Sequence, residues 1–435
     1  MDDTTTTATP EVQAAPRGTV VLLVLAAVQF TNIVDFMIVM PLGPQLMARL
    51  AINPEQFGLV VSSYTFSACA AGLLASLLVD RFDRKASFLG AFVGFLVGTL
   101  SCAMVDTYET LLAARVATGA FGGVLGGMAL AIVGDVFPEE RRGAATGALM
   151  SAFAVASVVG VPAGLLLGNR YGWQSPFVAL AALGAVVLPV AWRALPPLRS
   201  HLAARPDSGP IAELRYALTH PEHLRAFALV VTMMVGGFSV IPFISAYLVA
   251  NVHVAESNLP LVFVSGGAMT LVAAPVVGRL ADRFGKFQVY RLAAPFAATM
   301  MLVVTNLPVV PLALAVAATA SLMVGNAGRM VVAMAMVTSC VEPRRRGSFM
   351  SLNSAVQHFS TGLGAYLGGA IIGKNLGGPL PRYHYVGYLA AGMTLLSIAV
   401  ASRLRPYRAD LSTFEHVRDE VAADLEGPTP APGPV

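Results

Sequence analysis

Twelve apolar runs, each bounded by charge, Pro or Gly, follow one another at roughly 19–47, 55–79, 86–105, 108–137, 144–168, 173–193, 224–250, 258–281, 287–306, 309–340, 348–373 and 384–403. About 20 such residues in an α-helix span the hydrocarbon core of a bilayer. Within that core every backbone N–H and C=O must find a partner inside the protein, which leaves only helices and closed barrels as spanning structures. The runs are continuous rather than alternating, which excludes the barrel. Composition agrees, with 56% hydrophobic and 12% charged residues among 435, where soluble domains carry about 25% charged. The pattern predicts an all-α integral membrane protein with twelve transmembrane helices.

The formal charge of +4 does not call for nucleic acid, because the bases sit in short clusters between apolar runs. There they act as topology signals. With the N-terminus placed in the cytoplasm, 22 of the 28 Lys and Arg fall in the tails, the even-numbered loops and their flanks. Arg49, Arg170, Lys374 and Arg382 fall on the other side, and Arg115 and Arg329 lie within spans. This asymmetry predicts a multi-pass protein of the cytoplasmic (inner) membrane with both termini in the cytoplasm. Residues 1–18 lack the charged n-region of a signal peptide and are expected to form a disordered cytoplasmic N-terminus. Residues 194–223 are polar and Pro-bearing, as expected of a cytoplasmic linker, and 404–435 form a cytoplasmic tail ending in GPTPAPGPV. Cys69, Cys102 and Cys340 all lie in apolar segments, and their odd number argues against a disulfide framework.

The two parts of the chain repeat one another. VDRFDRK, ending the second run, matches ADRFGKF, ending the eighth, and FPEERRGAATGALMSA matches VEPRRRGSFMSLNSA. The offsets are 202 (Asp80 to Asp282) and 204 (Gly143 to Gly347). A near-constant offset implies parallel duplication. Two pseudo-symmetric six-helix halves, 19–193 and 224–403, are expected to surround a central cavity, related by an axis along the membrane normal.

These motifs resemble those of the major facilitator superfamily, and within it the twelve-span drug:proton antiporters that include multidrug and arabinose-type efflux permeases. In that family the loop after helix two reads Gly-x-x-x-Asp-Arg-x-Gly-Arg-Lys. Here SLLVDRFDRK places Ser76 and Asp83 at the two glycine positions, while GRLADRFGKF keeps Gly278 and Gly285. RVATGAFGGVLGG (Arg115 to Gly127) is similar to the family's helix-four motif with its buried arginine. In GALMSAFAVASVVGVPAGLLLG, Val161 separates Gly160 from the Pro162 of the exporters' Gly-Pro-x-x-Gly signature. An acid at a helix end followed by bases can clamp neighbouring ends through charge-assisted hydrogen bonds. Asp80, Arg81, Arg84, Lys85, Asp282 and Arg283 are therefore expected to form a cytoplasmic gate, joined by Asp135 through Arg84 or Arg141.

A charge at the bilayer centre costs at least about 2.5–3.5 kcal/mol, so Asp35, Arg115 and Arg329 are expected to face the cavity rather than lipid. Asp35 and Arg115 lie at depths differing by about 6 Å at ~1.5 Å per residue, so they can meet. A neighbouring guanidinium favours the ionised carboxylate and loss of water favours the neutral acid, so a change in their separation would capture or release a proton. The resemblance implies this coupling role for an acid in helix one. A permanent structural ion pair is the alternative. Gln29 and Asn32 share a helical face with Asp35, and on helix eleven Asn353 and Gln357 share another, with His358 beside it. Because the family's first and eleventh helices line the cavity, the resemblance implies substrate contacts at Gln29, Asn32, Asn353, Gln357 and His358. His358 could instead be a neutral core histidine or a second protonation site. Arg329 could meet an anionic substrate, reach Asp35, or be held by backbone carbonyls. Phe238, with Phe243, Tyr247, Met233 and Met234, offers either an adaptable apolar wall for a ligand or ordinary core packing.

The reading that follows is a secondary transporter exporting a small organic molecule in exchange for protons by alternating access. A proton-independent sugar or metabolite facilitator, or a non-transporting sensor on the same scaffold, is the alternative. The sequence holds no GxxxxGK[ST] and no metal-spaced His/Cys cluster, so no cofactor or metal is expected. The spans carry neither paired carboxylates nor a nucleophile and base in register, so no enzyme is expected. The partners expected are substrate, protons and the lipid bilayer, with no nucleic acid and with the chain acting as a monomer.

Overall fold

The structure, a computed structural model, describes residues 14–78, 82–198, 210–342, 345–374 and 378–407. Every regular element among them is helical: α1 (Ala14–Ile38), α2 (Gly43–Leu50), α3 (Pro54–Leu78), α4 (Arg84–Ala103), α5 (Tyr108–Val136), α6 (Glu139–Val155), α7 (Val161–Tyr171) and α8 (Ser175–Ala194) form a first group. After α9 (Pro210–Thr219), a second group contains α10 (Pro221–Val240), α11 (Ile244–Ala250), α12 (Leu259–Phe284), α13 (Lys286–Thr305), α14 (Leu312–Ser339), α15 (Arg346–Ile372) and α16 (Tyr383–Ala401).

Local chemistry explains where the helices depart from the apolar runs. The first run breaks after Ile38 because Pro41 and Pro44 lack the N–H that a continuous helix needs, and Pro44 fits the first turn of α2. Pro162 likewise has no N–H for the Val158 carbonyl, and a π turn at Ala156–Gly160 joins α6 to α7 there. A 3-10 turn at Ile241–Phe243, containing Pro242, joins α10 to α11. Asp83, at a glycine position of the family loop, is the N-cap of α4 and accepts from the backbone N–H of Lys85 at 2.9 Å. The linker is not wholly irregular: α9 lies within it, and the Tyr216 ring packs on His220 and His223 and beneath the Arg345 guanidinium, 3.9 Å away.

Eleven helices among the described residues are long and apolar enough to cross a membrane. The run at 348–373 is helical as α15 but falls outside that set, because Ser351, Asn353, Ser354, Gln357, His358, Ser360 and Thr361 dilute it. A helix enclosed by other helices can carry such residues, and α15 packs along both α3 and α10.

Packing partners recur between the groups. In the first, α5 packs on α3 and α4, while α8 packs on α1 and α4; in the second, α14 packs on α12 and α13, while α16 packs on α10 and α13. The groups meet through α3 against α15 and through the π turn and α7 against α12. Close approach there depends on glycine: a Cβ at Gly58 would lie 2.7 Å from the Ala365 carbonyl oxygen.

The two ends of the bundle differ. At the end holding Gly43, one core draws on both groups and contains Ile38, Leu42, Phe57, Phe243, Tyr247, Leu259 and Tyr383. Asn169 donates across that end to the Glu256 carbonyl at 3.1 Å. Toward the end holding Arg84 the cores are separate, one around Phe88, Phe92 and Ile132 and the other around Phe227, Tyr290 and Phe349. Ring contacts between the groups run from Phe57–Phe243 (centroids 5.8 Å) to Phe66–Phe359 (5.7 Å), which lie midway along α3 and α15. Among the described residues, the buried apolar core is thus continuous across the groups at the Gly43 end and divided into one cluster per group toward the Arg84 end.

Gly58→Ala is expected to lower stability by about 1–3 kcal/mol, the usual cost of overpacking. Gly127→Ala, whose Cβ meets nothing within 4 Å, should cause no loss. Thermal unfolding of the two purified variants checks this.

Candidate functional site

Asp35 sits in the last turn of α1 and Arg115 in the third turn of α5, which starts from the same end of the bundle. Their side chains meet, with Oδ2 to Nη1 at 2.7 Å, and both residues are 0% exposed. Thr99 of α4 donates to the other carboxylate oxygen at 3.0 Å. The Arg115 guanidinium lies over the Tyr64 ring of α3, 4.4 Å from its centroid. The Tyr64 hydroxyl donates to Asn32 Oδ1 at 2.7 Å, and Asn32 Nδ2 donates to the Gly122 carbonyl at 3.1 Å. A Cβ at Gly122 would come 2.7 Å from that Asn32 oxygen, so the glycine makes room for the Tyr64–Asn32 bond.

Four helices therefore converge on the ion pair, and its position differs from expectation. Asp35 and Arg115 do not face the space between the groups but are enclosed inside the first. Enclosure supplies the carboxylate with two partners and the guanidinium with a carboxylate and a π face, which offsets part of the desolvation cost of two buried charges. It is incomplete: Arg115 Nε and Nη2 have no hydrogen-bond partner among the described residues. A line of rings leads outward from the pair. Tyr64 packs on Phe36 of α1 (centroids 5.4 Å), and Phe36 packs on Phe238 of α10 (6.2 Å), which belongs to the second group. Asn32 is 8% exposed, and half-buried Gln29 continues the amide stripe one turn further.

Arg329 does not reach Asp35 and does not face the space between the groups either. It is 0% exposed within the second group. Its Nη2 donates to the Met233 carbonyl at 3.1 Å and to Asn326 Oδ1 at 2.7 Å, Nη1 donates to Thr394 Oγ1 at 2.8 Å, and Nε donates to Asn326 Oδ1 at 3.1 Å. Neutral oxygens thus solvate this cation. On α15, Gln357 and His358 are half-buried, with Gln357 Nε2 3.6 Å from Met334 Sδ. Asn353 is 0% exposed, and neither amide atom has a hydrogen-bond partner among the described residues, so it is not presented to a ligand in this arrangement. Phe238 is half-buried at the junction of the groups, whereas Phe243 is fully buried and Tyr247 donates to the Leu307 carbonyl at 3.0 Å, both as parts of the shared core.

Of the expected cytoplasmic gate, the contact of Asp135 with Arg84 forms and joins neighbouring helix ends. Asp80 and Arg81 lie outside the described residues. Arg84 pairs with Asp135 at 2.7 Å, and Lys85 donates to the Leu195 carbonyl at 2.6 Å. These contacts join α4 to α5 and to the end of α8, all within the first group. Lys286, which is 202 residues beyond Arg84, makes the corresponding tie from α13 to the Ala335 carbonyl of α14 at 3.1 Å. Asp282 and Arg283 are exposed and form no ion pair among the described residues. Arg84 and Lys85 at the start of α4, and Lys286 at the start of α13, thus each tie to a helix of their own group.

Thr99, Tyr64, Asn326 and Thr394 escaped the sequence reading. Tyr64 sits among Ser62, Ser63, Thr65 and Ser67, and Thr99 shares its run with Ser87 and Ser101, so spacing alone does not single either out. Asn326 had a better signal, lying three residues before Arg329 on the same helical face.

A bundle of apolar helices with enclosed charges is the architecture of a polytopic membrane protein. The chain belongs to the Major Facilitator Superfamily, whose family model matches residues 25–325 and, a second time, 226–427. It is 25% identical over 372 residues to the inner membrane transport protein YdhP of Escherichia coli (strain K12), covering 84% of this chain and 92% of that protein. It is 27% identical over 246 residues to a chloramphenicol resistance protein of Streptomyces lividans, covering 56% of this chain and 62% of the relative. Its fold matches the crystal structure of a bacterial homologue of the human lysosomal transporter Spinster in an inward-facing, unoccupied conformation, with a TM-score of 0.73, 17% identity and coverage of 91% of this chain and 99% of the other. The protein is thus a membrane-spanning transporter of this superfamily.

Asp35→Asn and Arg115→Gln are each expected to cost about 3–5 kcal/mol, because either leaves a buried charge unpaired. The double variant should lose much less than the sum, as a double-mutant cycle of unfolding in detergent reads out. Asn353→Leu, which removes an unsatisfied amide from the second group's core, is expected to raise stability by about 1–3 kcal/mol in the same assay.

Proposed function

We propose that the protein is a twelve-span secondary transporter of two six-helix halves that exports a small organic molecule in exchange for protons. The packing partners that recur between the two groups support the twelve-span reading, with α15 as the enclosed eleventh span. The concentration of bases at the Arg84 end supports placing that end in the cytoplasm, and the similarity to YdhP supports the inner membrane. The cores that part toward Arg84 then correspond to a cavity open to the inside.

The observation that carries the coupling is the unbroken line from Asp35 through Arg115, Tyr64 and Phe36 to Phe238 on the opposite half. Rocking of the halves moves Phe238 relative to Phe36 and so shifts the Tyr64 ring that covers the guanidinium. Once Tyr64 turns away, Asn32 and Gln29 carry a polar path from the cavity to the carboxylate. Protonation of Asp35 then cancels its attraction for Arg115 and alters the packing of the four helices around the pair. Substrate occupies the cavity between Gln29 and Asn32 on one side and Phe238, Gln357 and His358 on the other. Similarity to a chloramphenicol resistance protein supports a drug-like ligand and makes chloramphenicol the first compound to try.

Protein reconstituted in vesicles carrying an internal pH dye tests this. Addition of a transported compound to the wild type is expected to change the internal pH, whereas the Asp35→Asn/Arg115→Gln double variant should move compound without moving protons. Compound movement without a pH change in the wild type would identify a facilitator, and binding with no movement of either would identify a sensor.

A further inference from the structure

The outer wall of the first group carries a groove of about 410 Å³ that the transport path does not use. Leu89, Gly90 and Val93 of α4 line one side, and Leu188, Pro189 and Trp192 of α8 line the other. Val93 and Trp192 are exposed, so the groove opens on the lipid-facing surface and not between helix groups. A Cβ at Gly90 meets nothing within 4 Å, which leaves the floor without a side chain.

Both walls end in a base at the same end of the bundle. Lys85 lies four residues before Leu89 on one face of α4, and Arg193 lies four residues after Pro189 on one face of α8. The Lys85 ammonium donates to the Leu195 carbonyl at 2.6 Å, which holds it between the ends of α4 and α8, one turn beyond the residues that line the groove, with two N–H groups left to donate. Arg193 is exposed and forms no ion pair among the described residues. Trp192, exposed on the groove wall and two residues from the end of α8, places an indole near headgroup depth, as interfacial tryptophans do.

An apolar slot that opens to hydrocarbon and ends in two cations at the headgroup level complements one class of molecule. The geometry points to a binding site for an anionic glycerophospholipid, with one acyl chain along the groove and the phosphodiester held by Lys85 and Arg193. A lipid seated there bridges α4 and α8, and so braces the same helix ends that the Lys85–Leu195 contact ties.

The full-length protein in a neutral detergent is titrated with palmitoyl-oleoyl phosphatidylglycerol, with phosphatidylcholine of the same chains, and with inorganic phosphate. Bound lipid is read by native mass spectrometry and stability by thermal unfolding. Phosphatidylglycerol is expected to bind about tenfold more tightly than phosphatidylcholine, consistent with two juxtamembrane bases, and to raise the unfolding temperature, while phosphate alone does neither. Gly90→Leu, which fills the groove, should abolish retention of phosphatidylglycerol without lowering the unfolding temperature in lipid-free detergent. Arg193→Gln, at an exposed position, should keep lipid binding but reduce the headgroup preference severalfold. Equal retention of the two lipids by the wild type, stabilisation by phosphate alone, or unchanged preference in Arg193→Gln would overturn the assignment.

Discussion

An aspartate and an arginine that meet at 2.7 Å with no exposure to solvent fix the arrangement of four helices. Neither charge is tolerable alone in a medium that cannot solvate it, so α1 and α5 must present them at the same depth. Thr99 brings in α4 and Tyr64 brings in α3. Glycines on α5 then let α3 come close enough for the Tyr64–Asn32 hydrogen bond, which a side chain at Gly122 would block. The first helix group is in this sense built around its most expensive pair.

The second group handles its own buried cation by other means. Arg329 has no carboxylate and is surrounded by the oxygens of Asn326, Thr394 and Met233. Such a site balances the cation with dipoles alone. The buried cation of the first group is instead paired with a carboxylate. That contrast makes the two groups unequal in chemistry although their packing partners recur, and it places the paired carboxylate on one side of the junction at Phe36 and Phe238.

Much of this was legible in the residues. Continuous apolar runs gave the helices, the recurrence of Asp-Arg-Phe after 202 residues pointed to a repeat, and the rarity of charges inside the spans singled out Asp35, Arg115 and Arg329. Their depths, about 6 Å apart at ~1.5 Å per residue, allowed Asp35 and Arg115 to meet. Where they meet did not follow from depth, because whether a helix face points to a cavity or to its own group depends on rotations that one-dimensional spacing leaves free. The same freedom hid the direction of Asn353, which shares a spacing with Gln357 yet is buried while Gln357 is partly accessible. Residues such as Thr99 and Tyr64, ordinary in composition, became partners only once helices distant in sequence lay beside them.

The sequence by itself determined that this chain is a membrane-spanning helical protein, because lipid leaves so few ways to satisfy a backbone that hydropathy alone selects among them. It also determined which side chains are too costly to leave unpaired. Tertiary structure decided which partners they take, that Arg84 and Lys85 tie to helices of their own group, and that the described apolar core is shared at the Gly43 end and divided toward the other. Those outcomes depend on how side chains from separate helices interlock over ångström distances. Packing of that kind is a property of surfaces in contact, and a linear pattern of apolar and polar residues does not encode it one helix at a time.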